Sequence, residues 1–155
     1  MGNYRNIETD FIQRTIRLIE QYNELIANHD FAEQLNYTLT INCLLGLIVM
    51  PKERVITFIP NDVLTDAYKR DLGFEQSDIG QGITRFRDLI HQLRNSIAHF
   101  KIEVESENDD FLVDYLVFNH ENGSLVARIK ATEMVPFLKF YTQALLQNLQ
   151  RRNGL

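Results

Sequence analysis

Apolar residues recur along much of the chain at the three- and four-residue spacing of a helix face. Between about Ile7 and Ala27 the positions Phe11, Ile12, Ile16, Leu18, Ile19, Tyr22, Leu25 and Ile26 fall largely on that spacing, which predicts an amphipathic helix. Thr9 and Asp10 are its candidate caps, and Asn28-His29-Asp30 reads as its stop. A second segment, from about Phe31 to Met50, carries Leu35, Leu39, Ile41, Leu44, Leu45, Ile48 and Val49 around much of its circumference, the pattern of a helix buried on several sides. Gly46 costs this helix some stability but lets a neighbour approach closely, and Pro51 ends or kinks it.

Pro51 to Pro60 reads as a connector containing the short apolar run Val55-Ile56-Thr57-Phe58-Ile59. Asn61 or Asp62 is placed to cap a short helix reaching about Lys69, and Gly73, Gly80 and Gly82 mark a flexible stretch after it. From about Ile83 to Phe100 the apolar residues Ile83, Phe86, Ile90, Leu93, Ile97 and Phe100 give the cleanest amphipathic pattern in the chain.

The period then changes. Ile102-Glu103-Val104-Glu105 alternates, Phe111 to Phe118 is rich in aromatic and branched residues, Glu121-Asn122-Gly123 is a turn signal, and Leu125 to Ile129 reads as a further strand. A last helix spans about Ala131 to Gln150, with Met134, Phe137, Leu138, Tyr141, Leu145, Leu146 and Leu149 inward. The expected architecture is mainly α. It is one domain over 1–155, an antiparallel four-helix bundle with a small β-hairpin or three-strand insert at about 101–130.

Charge and cysteine content narrow the function. A formal net charge of -5 argues against general binding to phosphate backbones, which needs a basic surface. It leaves room for a nucleic-acid enzyme, whose site needs only a few local cations. The single cysteine, Cys43, cannot form an intramolecular disulfide and lies in an apolar run, so it reads as a buried free thiol in a reducing, cytoplasmic protein. The first ten residues are polar and mixed, and Asn6 stands where a myristoylation signal wants Ser or Thr. The longest apolar run, Cys43 to Met50, is far short of a membrane span.

On a helical wheel, Thr84, Asp88, His91, Asn95 and His99 form a polar stripe opposite the apolar row of the third long helix, bordered by Arg87 and Arg94. Such a stripe is commonly a solvated face. Solvated faces are usually built from Lys and Glu, whereas this one holds two histidines and an asparagine.

Leu93-Arg94-Asn95-Ser96-Ile97-Ala98-His99-Phe100 resembles the signature of the HEPN superfamily: an Arg, a polar residue, then a His after four to six intervening residues. The long first helix, the apolar helix ending in Met50-Pro51-Lys52-Glu53 and the strands after His99 are similar to a plasmid-associated HEPN subgroup with a β insert. One departure is Phe100, where many members carry glycine.

The resemblance implies a metal-independent endoribonuclease that needs no cofactor, with Arg94, Asn95 and His99 as its catalytic set. The RNA 2′-hydroxyl would attack the adjacent phosphorus, leaving a 2′,3′-cyclic phosphate and a 5′-hydroxyl. Histidine suits the proton transfers, Arg94 the phosphate charge, and Asn95 either His99 or a phosphate oxygen. One motif supplies one histidine, so acid and base together imply a homodimer with both motifs near its two-fold axis. By family analogy such a protein is a toxin, held by an antitoxin protein, or an anti-phage effector.

Auxiliary candidates are His91, Asp88 and Arg87. His91 can equally be a surface or interface residue, and Glu20, Glu24 or Asp88 a structural partner of Arg94. His29 and His120 fall at turns and are expected to face solvent, while Lys101, Glu103, Glu105 and Glu107 read as a charged strand edge that discourages aggregation. The chain has no phosphate loop, no zinc motif and no Gly-x-Ser-x-Gly turn. The alternatives are a catalytically inactive HEPN module binding RNA, a nucleotide or a protein partner as a dimer, and a purely structural dimer.

Overall fold

Helix α1, Ile7–Ile26, starts where Asn6 turns its side-chain oxygen onto the Glu8 N–H at 3.0 Å. Asp10 reaches back to the Arg5 and Asn6 amides at 2.6 and 3.0 Å, which holds its carboxyl below the usual range. The cap is therefore Asn6 rather than the expected Thr9 or Asp10, and Asp10 closes the same turn from inside the helix. The computed structural model describes residues 4–30, 33–49, 58–107 and 113–152.

Helix α2, Asn36–Val49, buries Cys43, Leu44, Leu47 and Ile48. Burial raises the Cys43 thiol pKa, consistent with a packed side chain. Phe11 of α1 packs against Gly46, as the glycine invites. The expected start at Phe31, the break at Met50-Pro51 and the run from Val55 to Thr57 lie outside the described residues. Helix α3, Asp66–Asp71, is capped by Thr65, whose Oγ1 accepts from the Tyr68 N–H at 3.1 Å, not by Asn61 or Asp62.

Two further long helices complete the helical layer, α4 at Phe86–Ala98 and α5 at Met134–Arg152, the latter entered through a 3₁₀ turn, Ala131–Glu133. Helix α1 packs on α2 and α5, and α2 on α4 and α5. Edge-to-face contacts of Phe86 with Phe140 and Tyr141 join α4 to α5.

The strands depart from the expected insert. They are β1 (Asp78–Ile79), β2 (Ile102–Glu105), β3 (Tyr115–Asn119) and β4 (Leu125–Lys130), in one antiparallel sheet of order β1-β4-β3-β2. Strands β2 to β4 fall within the expected 101–130, but β1 comes from before α4, so the sheet is not a local insertion. Its inner face (Leu116, Phe118, Ala127 and Ile129, all buried) meets α4. Helix α4 is thus held between α2 and the sheet; the domain is mainly helical, as expected, and its sheet has four antiparallel strands where a hairpin or three-strand insert was expected.

Glu133 ties this arrangement together. Its buried carboxylate accepts from the Glu75 and Gln76 amides at 3.1 and 2.8 Å and from Ser77 Oγ at 2.6 Å. Ser77 Oγ in turn accepts from the Lys130 N–H at 2.9 Å. A buried carboxylate so satisfied anchors the segment leading into β1 instead of costing stability.

Candidate active-site cleft

Helix α4 buries Phe86, Leu89, Ile90 and Leu93 and leaves Asp88, His91, Asn95 and Ala98 exposed. His99 is its C-cap, with its N–H on Asn95 O at 3.0 Å. The next amides bond backwards, Phe100 N–H to Ile97 O at 3.1 Å and Lys101 N–H to Ser96 O at 2.7 Å. With φ of 54° at Phe100, this is a Schellman turn. The chain therefore reverses directly after His99 and feeds Lys101 into β2. Phe100 takes the left-handed turn that glycine would favour, with its ring 85% exposed.

The opposite wall is the β3–β4 hairpin. Phe118 pairs with Ala127 but Asn119 with Leu125, so Val126 is the extra residue of a β-bulge. A bulge bends the strand and re-aims the side chains beyond it. Gly80 donates its N–H to Val126 O at 2.8 Å, and a Cβ on Gly80 would lie 1.8 Å from Leu125 O. Only glycine lets the end of β1 meet the bulge this closely. The tip is closed by His120 N–H to Ser124 O at 2.8 Å and Gly123 N–H to His120 O at 2.9 Å, with Gly123 at φ 81°. Asn122 Oδ1 accepts from both the N–H and the Oγ of Ser124.

Between these walls lies an open cleft of about 480 Å³ lined by Gln92, Asn95, Ser96 and His99 of α4, by Lys101, and by the hairpin tip from Asn119 to Asn122 with Ser124. His99 Nδ1 lies 3.7 Å from Glu121 Oε1, both side chains well exposed. The cleft offers two imidazoles, one ammonium and several amides, the equipment for holding a phosphate and moving protons around it.

The structure thus brings Asn95 and His99 together in one cleft. Arg94 lies elsewhere on α4: five residues place it about 140° around the helix from His99. It is half-buried, within electrostatic reach of Tyr141. Burial drives the Tyr141 hydroxyl pKa well up, and the Arg94 charge acts to lower it. Arg87 donates Nε and Nη2 to Ile59 O at 2.9 and 2.7 Å, a clamp on the backbone before α3. Asp88 and His91 stay on the exposed face of α4, outside the cleft lining. Glu20, one of three carboxylates considered as a partner of Arg94, pairs instead with Lys139 at 2.8 Å.

His29 is exposed, as expected, and faces Glu33 at 3.4 Å. His120, read from the sequence as a solvent-facing turn residue, lines this open cleft. It is half-buried in the cleft wall, and Lys101, Asn119 and Glu121 join it there. The signal that pointed toward it was a histidine beside a hairpin turn. His120 lies beyond the end of β3, where no periodicity assigns a side.

The outer face of the same strands is built differently. Arg128 lies 3.3 Å over the Tyr115 ring and bonds Glu105 at 2.7 Å; Lys130 sits 4.4 Å from that ring and contacts Glu107 at 3.1 Å and Asp114 at 3.5 Å. These cations are engaged with carboxylates and an aromatic ring. Among the described residues, no group of three or more His, Cys, Asp or Glu side chains is arranged to hold a metal ion, and no helix is long and apolar enough to cross a membrane.

A family model described as HEPN pEK499 p136 matches residues 1–152. Neither a curated protein nor a solved structure matches the chain.

Proposed function

The chain belongs to the HEPN pEK499 p136 family, and from that premise we propose that it is an endoribonuclease cleaving RNA without a metal ion. The observation carrying this reading is the end of α4, which presents Asn95 and His99 to a polar cleft with Lys101 at its edge. His99 transfers a proton at the reacting 2′-hydroxyl, the Asn95 amide holds a phosphate oxygen, and Lys101 balances developing phosphate charge. The exposed row Asp88, His91, Asn95 and Ala98 is the surface for a second copy. A two-fold homodimer through it carries each Arg94 toward the other protomer's cleft.

A second reading is a HEPN module that binds RNA or a nucleotide without cutting it. The position of Arg94, around the helix from His99, favours it. The two readings separate on purified protein given RNA in EDTA beside a matched 2′-deoxy substrate. The expected result is RNA cut to 2′,3′-cyclic phosphate and 5′-hydroxyl ends by mass, with the deoxy strand intact. His99→Ala should lower the rate by about 10²–10⁴. RNA bound yet left whole favours the binding module, and cutting restored only by a divalent ion overturns the metal-free chemistry.

A further inference from the structure

We infer that His120 is the second proton carrier of this cleft, so that general acid and general base come from a single chain. The inference rests on the ribonuclease reading above and names a residue that the Arg94–His99 motif does not contain. Three observations converge on it. His99 and His120 line one cleft of about 480 Å³, from opposite walls. Gly80, bonded to Val126 O, braces the bulge of β4 beside the strand end that carries Asn119 and His120. The His120 backbone is pinned in both directions, its N–H on Ser124 O and its C=O taking the Gly123 N–H. A proton carrier must be held in place to be effective, and a hairpin tip closed by these bonds holds its backbone.

The assignment of roles follows from Glu121. Its carboxylate faces His99 Nδ1 at 3.7 Å, which leaves Nε2 as the nitrogen for proton transfer. His99 is then the base and His120 the acid. His99 Nε2 takes the 2′-hydroxyl proton as O2′ bonds to phosphorus. The bond from phosphorus to O5′ breaks, and the His120 imidazolium gives its proton to O5′. The products are the 2′,3′-cyclic phosphate and a 5′-hydroxyl; His99 ends protonated, His120 neutral, and solvent exchange resets both. Lys101, on the same cleft, meets the phosphate charge.

The test uses full-length protein and its His120→Asn and His99→Ala variants. Asparagine keeps a polar side chain at the hairpin tip but carries no proton at neutral pH. Each protein is given an RNA dinucleotide and an analogue with sulfur replacing the 5′-bridging oxygen, a leaving group that departs without an acid. On RNA, His120→Asn should lose about 10²–10⁴ in rate. On the sulfur analogue that loss should shrink to within about tenfold, while His99→Ala stays impaired on both. Matching circular dichroism melts confirm that the variants are folded. If His120→Asn cuts RNA at the wild-type rate while His99→Ala does not, His120 is not the acid, and RNA cleavage by this cleft stands without it. An equal loss by His120→Asn on both substrates also overturns the acid role. Wild-type protein that leaves both substrates whole removes the ribonuclease reading and this inference together.

Discussion

Helices α3 and α4 end in the same hydrogen-bonded turn, built with opposite residues. At the end of α3, Gly73 donates to Arg70 O and Phe74 to Lys69 O; at the end of α4, Phe100 donates to Ile97 O and Lys101 to Ser96 O. The left-handed position is a glycine at φ 82° in the first and a phenylalanine at φ 54° in the second. Glycine enters this region freely, whereas an L side chain incurs about 1–2 kcal/mol. The unstrained turn sits under α5, against Pro136. The strained one adjoins His99 and carries an aromatic ring that is 85% exposed. One turn is optimised for packing, and the other keeps a conformational cost beside the candidate cleft, where strain tends to collect.

Substitution at the two positions separates these causes. Gly73→Ala should have the largest effect. Its Cβ would fall 2.6 Å from Pro136 Cβ, at a φ that alanine adopts poorly, so a loss of about 2–4 kcal/mol is expected in urea unfolding. A loss below about 0.5 kcal/mol would mean that α5 shifts to accommodate it. Phe100→Gly should act in the opposite direction, stabilising the fold by roughly 0.5–1 kcal/mol once glycine's greater freedom in the unfolded chain is counted. A lowered melting temperature would instead show that the ring contributes packing. The smallest effect belongs to Phe100→Ala, which keeps the backbone strain and removes only an exposed ring. Its stability should stay within about 0.5 kcal/mol of wild type. A gain equal to that of glycine would place the cost in the ring rather than in φ.

Periodicity revealed the long helices because each has a buried row, and the row on α4 is cleanest because α2 and the sheet press on it from two sides. The hairpin was legible from Glu121-Asn122-Gly123 for the same local reason. Strand β1 was not: Asp78–Ile79 is two residues long, too short for any alternation, and exists because Glu133 and Gly80 hold it against β4. Within the cleft, Asn95 and His99 were readable from the helix stripe. His120 was not, since it lies beyond the end of β3 at a turn, where strand alternation no longer assigns a side. The stripe also overstated Arg87, because a wheel shows direction but not the Ile59 carbonyl waiting there.

The strand order β1-β4-β3-β2 also imposes an order in time. The β3–β4 hairpin closes through a short turn and can form early, within microseconds for such an element. Strand β1 reaches β4 only by bridging about fifty residues that include all of α4, a closure with a much larger entropic cost and few contacts to offset it. Pairing of Asp78 with Arg128 therefore belongs to the last stage of folding, after α4 has settled on β3 and β4. In the native protein the sequence runs backwards: β1 is the first strand to detach, and the amides of Gly80 and Lys130 should exchange with solvent before those at the centre of the β3–β4 pair. Because Gly80 braces the bulge, each such opening also frees the hairpin tip, so the cleft is assembled last and loosened first.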